Sequence, residues 1–512
     1  MIIPSGHGII VSARQPPVNH WTSNLSSEPA VIQYSLIHFS DGQIAMPETP
    51  SSLPRQTETD SGDPPQSAGS QQQELGRRFG MRDGLYQAVT QGGGEQYLSA
   101  FALLVHATPL HLSILSAMPQ LLGVWAQLVS VKVSHWFPSR RSQIFWGIAG
   151  QSASWIPILA LPLLWPELGP WLLIAGVALY FTFTHFTSPA WNSLVIDQLD
   201  SNERGMYFAQ RSRVMALTSF LALGLGGIVL TVFEHRQLLW IGFAVMFLTA
   251  GFCRSASLFS LVKVCDIPRH ESTDNPTGFR VFIRTGISKD FRQFLLFSSL
   301  MYLAVLMTAP FFVIYMLRDL HLAYWEYGSW LAAGIIGQFV TLPAWGQFGD
   351  RFGNKALLTF TGLLVPILPM LYLLSTAWGF LVAVNFFGGV VWAGLGLGLN
   401  NYVFDSVQPT DRAKAVAISS TVNAIGWALG TLIGSWLISS VPASLQLGAL
   451  DLHPASNLPF LFFLSGVLRL IVSASLLRTF HEPRVVEFHA HHRLLWELPL
   501  LKPLRQLSFR RR

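Results

Sequence analysis

A few groups able to carry charge stand inside runs of sequence too apolar to sit in water. They are Glu95 in TQGGGEQYLSAF, His185 in FTFTHFTSPA, Arg254 in GFCRSAS and Arg469 in GVLRLIV. Ionisable groups in such surroundings are costly and normally face a cavity or a partner. Glu95 has the best claim to chemistry, because a carboxyl in low dielectric can load and release a proton, as coupling requires. The glycines before it, Gly92 to Gly94, would let backbone approach a ligand; pairing with a cation or capping a helix is the plainer alternative. His185 could titrate or donate to a bound molecule, although a lone His among Phe and Thr more often packs with one hydrogen bond. Arg254 and Arg469 suit snorkelling to the interface or bonding to span-end carbonyls, with anion binding the lesser alternative. Gln91, Gln96, Asn385 and Asn423 are further polar groups for a cavity wall. Trp155, Tyr180 and Tyr302 could stack on a ligand, but aromatics in so aromatic a chain usually pack.

These residues need membrane helices to hold them. The 512 residues are 51% hydrophobic and 12% charged, with mean hydropathy +0.41, too apolar for a soluble surface. Twelve apolar runs near the ~20 residues of a spanning helix follow from Asp83 onward: 83–105, 110–131, 143–164, 170–192, 213–233, 238–262, 293–315, 325–345, 356–376, 379–401, 413–438 and 458–478. Of 33 Lys and Arg, only Arg236 and Arg318 fall in connections on one side, and Arg254 and Arg469 fall inside spans. The positive-inside rule therefore predicts two cytoplasmic termini in a plasma (inner) membrane protein. The pI near 9.4 records this topology, so no nucleic-acid partner is called for.

The segment 1–80, rich in Pro, Ser, Gln and Gly, reads as a disordered cytoplasmic tail. It lacks the basic and apolar regions of a secretory signal. A translation start at Met46 is an alternative that peptides from residues 1–45 would exclude. The C-terminal segment 481–512 ends SFRRR and contains HAHH at 489–492. With LLWELPLLKPLRQL between them, it reads as a basic amphipathic segment on anionic lipid rather than a metal site. Cys253 and Cys265 are the only cysteines, too few for a disulfide framework. No metal-ligand spacing, nucleotide-binding loop or catalytic triad pattern occurs; no cofactor, metal or enzymatic step is expected.

The chain repeats itself at offsets of 208 to 215. LHL at 110–112 recurs at 320–322, Asn192 meets Asn400, Asp197 meets Asp405, Arg204 meets Arg412, and Arg254 meets Arg469. Two six-helix bundles, 81–265 and 291–480, related by an axis along the membrane normal and joined by a cytoplasmic linker at 266–290, are implied.

Between the eighth and ninth runs lies GQFGDRFGNKALL, 346–358. Gly346 and Gly353 permit close helix approach and a tight turn, Asp350 suits a neighbouring helix N-terminus, and Arg351 and Lys355 suit carboxylates or lipid phosphates. The pattern G-x-F-x-D-R-x-G-N-K resembles the loop signature of the major facilitator superfamily. Twelve spans, the repeat and the central linker fit the same resemblance, which covers about residues 81–480. It implies an all-α fold of 12 transmembrane helices in two pseudo-symmetric bundles. It also implies a cytoplasmic latch that closes the outward-facing state, formed by Gly346, Asp350, Arg351, Gly353 and Lys355. Asp405 and Arg412 join that latch by position, with Asp197 and Arg204 as their first-half counterparts. The first-half loop, VKVSHWFPSRR, is degenerate, with His135 at the Asp position and Arg140 at the Lys position. SPAWNSLVIDQLDSNERGMYFAQRSR, 188–213, resembles bacterial members not tied to one substrate.

The expectation is secondary active transport of a small molecule by a monomer, alternating access between bundles and proton-coupled through Glu95. Polyspecific efflux is the alternative within transport, although the fifth run lacks the Gly-Pro pair of the antiporter signature. A receptor or lipid-moving protein on the same scaffold is the alternative from another class.

Overall fold

The computed structural model describes residues 66–199, 204–261, 264, 287–408, 411–440, 445–447, 450–452 and 457–483. Most of the N-terminal tail, nearly all of the 266–290 linker, Cys265 and the C-terminal HAHH segment lie outside the described residues.

Among the described residues twelve helical segments of membrane length run in the predicted order. Span 1 comprises Gln66–Gly93, a 3-10 turn Glu95–Tyr97, and Leu98–Leu104; span 2 is Pro109–Lys132. Span 3 is Arg140–Ala153 continued by Trp155–Leu164, span 4 is Gly169–Asp197, span 5 is Arg204–His235 and span 6 is Leu239–Leu261. Span 7 is Lys289–Leu306 followed by a 3-10 turn at Ala309–Phe311 and a π-helical turn at Ile314–Asp319; span 8 is Tyr324–Phe352. Span 9 is Asn354–Leu364 plus Ile367–Leu371, span 10 is Trp378–Asp405, span 11 is Arg412–Ser440 and span 12 is Leu458–Leu476. A hairpin of β1, Leu445–Leu447, with β2, Leu450–Leu452, lies between spans 11 and 12. Ten of the twelve are long and apolar enough to cross a bilayer. The others are spans 1 and 8, which carry Gln87, Gln91, Glu95 and Gln96, and Glu326, Gln338, Gln347, Asp350 and Arg351.

Helix boundaries overrun the apolar runs on the side rich in Lys and Arg, the basic side. Span 1 begins at Gln66, inside the tail that composition assigns to disorder. Farther along, Phe79 is buried at 2% exposure, and an exposed Glu74–Arg78 pair at 2.7 Å spans one turn before it. Hydropathy ends a span at its first charges, whereas helical hydrogen bonding continues through them.

Prolines break spans 7 and 9, and span 12 repairs one of the breaks. Pro366 and Pro369 have no N–H to give the carbonyls four residues earlier, Gly362 and Val365. Ser473 Oγ donates to the Gly362 carbonyl at 2.6 Å, and Arg469 Nη1 reaches the Val365 carbonyl at 3.4 Å.

The apolar core shows where the halves meet. One buried cluster, including Tyr97, Phe101, Trp155, Phe243, Tyr324, Tyr327, Trp330 and Phe462, draws on both halves. It lies toward the side opposite the basic loops. The other clusters, around Phe294 and Tyr402, around Leu194 and Tyr207, and around Trp345 and Leu357, each belong to a single half. The Gly426, Gly430 and Gly434 face of span 11 lies on the carbonyls of Ser299, Leu303 and Met307 in span 7, where any Cβ would collide.

Candidate functional site

Between the halves lies a cavity of about 830 Å³, walled by Glu95 and Gln96 of span 1, Gln120 of span 2, Gln338 and Trp330 of span 8, Asn385 of span 10 and Arg469 of span 12. A second space of about 330 Å³ adjoins it toward the basic side and shares Gln120, Tyr302 and Trp427 with it. His185, Asn400, Phe404 and Asn423 line this second space. Most of the wall is apolar and aromatic, with few polar groups, the usual make-up of a small-molecule site.

The opposite end is shut by contacts between halves. Ser113 Oγ of span 2 donates to the Thr431 carbonyl of span 11 at 2.8 Å, and Trp427 Nε1 donates to Ser116 Oγ at 3.1 Å. Spans 5 and 8 meet through backbone: the Trp325 N–H donates to Thr231 Oγ1 at 3.0 Å. A Cβ on Gly227 would stand 3.0 Å from the Tyr324 carbonyl. Tyr97 plugs the same seam, its hydroxyl donating to the Leu223 carbonyl at 2.6 Å. On the other side the cavity continues toward the basic loops into the second space.

Glu95 follows the kink at Gly94, where span 1 leaves α-helical geometry. The preceding glycines make room for protein, correcting the expectation of ligand approach: a Cβ on Gly92 would strike Ser219 backbone, and one on Gly94 would stand 2.6 Å from Trp155. Tyr180 of span 4 donates its hydroxyl hydrogen to Glu95 Oε1 at 2.5 Å, and one turn along the same span Thr184 Oγ1 accepts from Gln151 Nε2 at 2.8 Å. Gln151 Oε1 accepts from Arg254 Nε at 2.5 Å, and Arg254 Nη1 meets Asp83 Oδ1 at 2.7 Å. Ser257 donates to the same carboxylate oxygen at 2.6 Å, and Arg211 Nη2 stands 3.6 Å from Asp83 Oδ2. A polar cluster thus lies behind the cavity wall: Glu95 with Tyr180, and, through Thr184 one turn along span 4, Gln151 with Arg254 and Asp83.

The two intramembrane arginines occupy equivalent places in different company. Both are buried, at 5% and 4% exposure, so neither snorkels. Arg254 is neutralised by Asp83. Arg469 touches only neutral acceptors: Thr308 Oγ1 at 2.9 Å, Ser465 Oγ at 3.1 Å, and the Val305 and Val365 carbonyls at 3.4 Å.

The remaining predicted residues fall as follows. Asn385 lines the main cavity while its Nδ2 donates to the Trp330 carbonyl at 2.6 Å. Asn423 Oδ1 accepts from Ser298 Oγ at 2.8 Å. His185 packs against Gly123, with Gln127 Nε2 3.4 Å from its Nδ1. Gln91 is half-buried on span 1 and lines neither cavity. Tyr302 is stacked on Trp427, ring centroids 6.0 Å apart.

In the signature loop Gly353 has φ +88°, a left-handed turn that glycine adopts at no steric cost. It begins span 9, where Glu482 accepts the Lys355 N–H at 2.7 Å and so caps the helix from beyond span 12. Lys355 Nζ bonds the Leu477 carbonyl and lies 3.4 Å over the Phe480 ring, with the Glu482 carboxylate acting on its charge. Gly346 has no atom within 4 Å of a would-be Cβ; in this open state close approach does not require glycine there. Asp350 is exposed, as are Arg351, whose guanidinium lies 5.4 Å over the Phe352 ring, and Arg412.

The degenerate first-half loop is joined to its neighbour differently from the second-half loop. Arg140 pairs with Asp197 at 2.5 Å and with Ser193 Oγ at 2.8 Å. In the second half Asn354 Nδ2 donates to Asp405 at 2.6 Å. Arg204 opens span 5, and its side chain lies outside the described residues.

Sequence reasoning missed Asp83, Gln151, Arg211, Gln120 and Gln338. Asp83 sat at the edge of an apolar run and read as a boundary charge; only the extension of span 1 to Gln66 places it two turns or more inside a helix.

The Major Facilitator Superfamily model matches residues 294–510. The second half of the chain is thus similar to that superfamily. Similar solved structures include a D323A mutant of the nucleoside transporter NupG, 13% identical, TM-score 0.63, covering 80% of this chain and 100% of that one. A bacterial homologue of the iron transporter ferroportin, in its inward-facing state, is 15% identical at TM-score 0.60, covering 81% and 99%. A D-xylose–proton symporter is 11% identical at 0.60, covering 80% and 98%. At these identities the likeness establishes the fold. A probable peptide/nitrate transporter of Arabidopsis thaliana is 30% identical over 132 residues, 25% of this chain and 27% of that protein. The match thus spans about a quarter of that relative's length.

Proposed function

We propose that this chain belongs to the major facilitator superfamily and carries a small molecule across the plasma membrane by alternating access, with its basic side and termini in the cytoplasm. The observation that carries the reading is a cavity of about 830 Å³ between the halves, sealed on one side by both bundles and continuous with a second space on the other. The open side is the cytoplasmic one by the positive-inside rule, which makes the arrangement inward-facing.

Coupling runs through a proton on Glu95. Its carboxyl faces the cavity, where cargo and water reach it, and its back is bonded to Tyr180, which connects through Thr184 of the same span to Gln151, Arg254 and Asp83. A change in the charge of Glu95 is thereby felt by spans 1, 3, 4 and 6 together. In the outward-facing state the basic-side ends close, and Gly346, Asp350, Arg351, Gly353 and Lys355 form the latch with Asp405 and Arg412, with Asp197 and Arg204 on the other half. The exposure of Asp350 and Arg412 in the open state leaves both available for that contact.

The test is uptake into proteoliposomes under an imposed pH gradient, followed by exchange at equal pH. Glu95→Gln abolishes pH-driven accumulation and keeps exchange; unchanged accumulation in that variant removes Glu95 from coupling, and absence of exchange for every compound in a broad metabolite panel refutes transport.

A further inference from the structure

We propose that the cargo is an organic monocarboxylate with a planar apolar body, its carboxylate seated on Arg469. The inference deepens the transport reading and rests on it. Arg469 lies in the cavity wall and is 4% exposed. A guanidinium taken from water is stable when an anion faces it and costly when none does. Among the described residues no carboxylate pairs with it. Its repeat counterpart Arg254, at similar burial, has Asp83 at 2.7 Å. The contacts Arg469 does make are to two hydroxyls and two carbonyls. These orient the group without cancelling its charge, and the two carbonyl contacts, at 3.4 Å, are weak. A carboxylate entering the cavity would meet a planar donor fork suited to bidentate binding.

The surroundings narrow the class. Among the described residues Arg469 is the one cation lining the main cavity, which suits a single negative charge better than a phosphate dianion. Glu95 on the facing half disfavours a second negative group when it is ionised. Beside Arg469 stand flat apolar surfaces: Phe312 with its ring 4.8 Å from that of Tyr372 and 5.7 Å from that of Trp330. The Tyr302–Trp427 stack closes the other end. These rings favour a planar body by stacking.

Phenylacetate, phenylacetamide and phenethylamine share one body and differ in charge, and they test the proposal on the purified full chain. Phenylacetate raises the thermal unfolding midpoint, and the amide and amine need at least about tenfold higher concentration for the same shift. Arg469→Gln removes the preference and Arg469→Lys keeps part of it. Equal responses to the three compounds, a preference for the amide or amine, or an unchanged preference in Arg469→Gln overturns the proposal. Should Arg469→Gln fail to fold, the charge series on the wild-type chain and on Arg469→Lys decides alone. Exchange of labelled compounds in proteoliposomes separates the two readings. Exchange without carboxylate preference leaves transport standing and refutes the anion site; carboxylate-selective binding with no exchange of any compound keeps the site and refutes transport.

Discussion

The Asp83–Arg254 pair offers a quantitative test of the polar cluster behind the cavity. Side-chain exposures of 4% and 6% and an N–O distance of 2.7 Å define a buried ion pair. With charge centres about 4 Å apart and an effective dielectric near 20, the attraction is about 4 kcal/mol. Stranding one member of a buried pair typically costs about 3–5 kcal/mol. Asp83→Asn keeps an acceptor for Ser257 and leaves Arg254 with the Gln151 contact, so the expected loss is near the lower end, about 3 kcal/mol. Arg254→Gln strands Asp83, which keeps Arg211 at 3.6 Å as partial compensation, and loses a similar or smaller amount. The double variant removes both charges. It is more stable than the sum of the single losses implies, by roughly 2 kcal/mol of coupling. Reversible unfolding in mixed micelles, with all four proteins in parallel, measures the cycle. Additivity within about 0.5 kcal/mol would show that the two side chains do not depend on each other, and the cluster behind the cavity wall would lose its ion pair.

Gly430→Val places a side chain against the Leu303 backbone and sharply lowers folded yield, whereas Gly224→Ala, with open space around it, leaves yield unchanged; monodispersity on size exclusion distinguishes them. Asp350→Asn and Gly346→Ala test the latch: both keep wild-type unfolding midpoints, because neither site is packed in the open state, and both slow uptake several-fold by impairing closure. Full uptake in both variants would remove the loop from gating.

The span order and the repeat were legible in the sequence because burial in lipid demands long apolar runs, and duplication leaves matching residues at a fixed offset. Helix ends were not, since Asp197, Asp350 and Asp405 lie in helices that outrun their apolar stretches. Of the site, Glu95 and Arg469 were visible as charges within apolar runs, and both line the cavity. What hydropathy could not supply is pairing. Asp83 lies 171 residues from Arg254, and Gln151 looks like any other amide until spans 1, 3 and 6 converge. The glycines before Glu95 read as room for a ligand, whereas packing shows that the approaching atoms belong to spans 3, 5 and 6.

The repeat explains why the two arginines came to differ. Each sits at the same level of the last helix of its half and reaches toward the first helix of that half, spans 1 and 7. In the first half span 1 supplies Asp83, and the arginine becomes an internal tie that also holds Gln151 of span 3. In the second half span 7 is broken near Pro310, and what it offers is the Thr308 hydroxyl and the Val305 carbonyl. Neutral acceptors hold the guanidinium in place but leave its charge open to whatever enters. The same residue in two pseudo-equivalent positions thus yields a fixed ion pair behind one wall and an unneutralised cation in the other. A carboxyl that can take a proton faces that cation's cavity from the first half. An anion and a proton arriving together would add no net charge to the cavity. The carrier would then close around a neutral load, lowering the electrostatic barrier to moving the occupied site across the membrane.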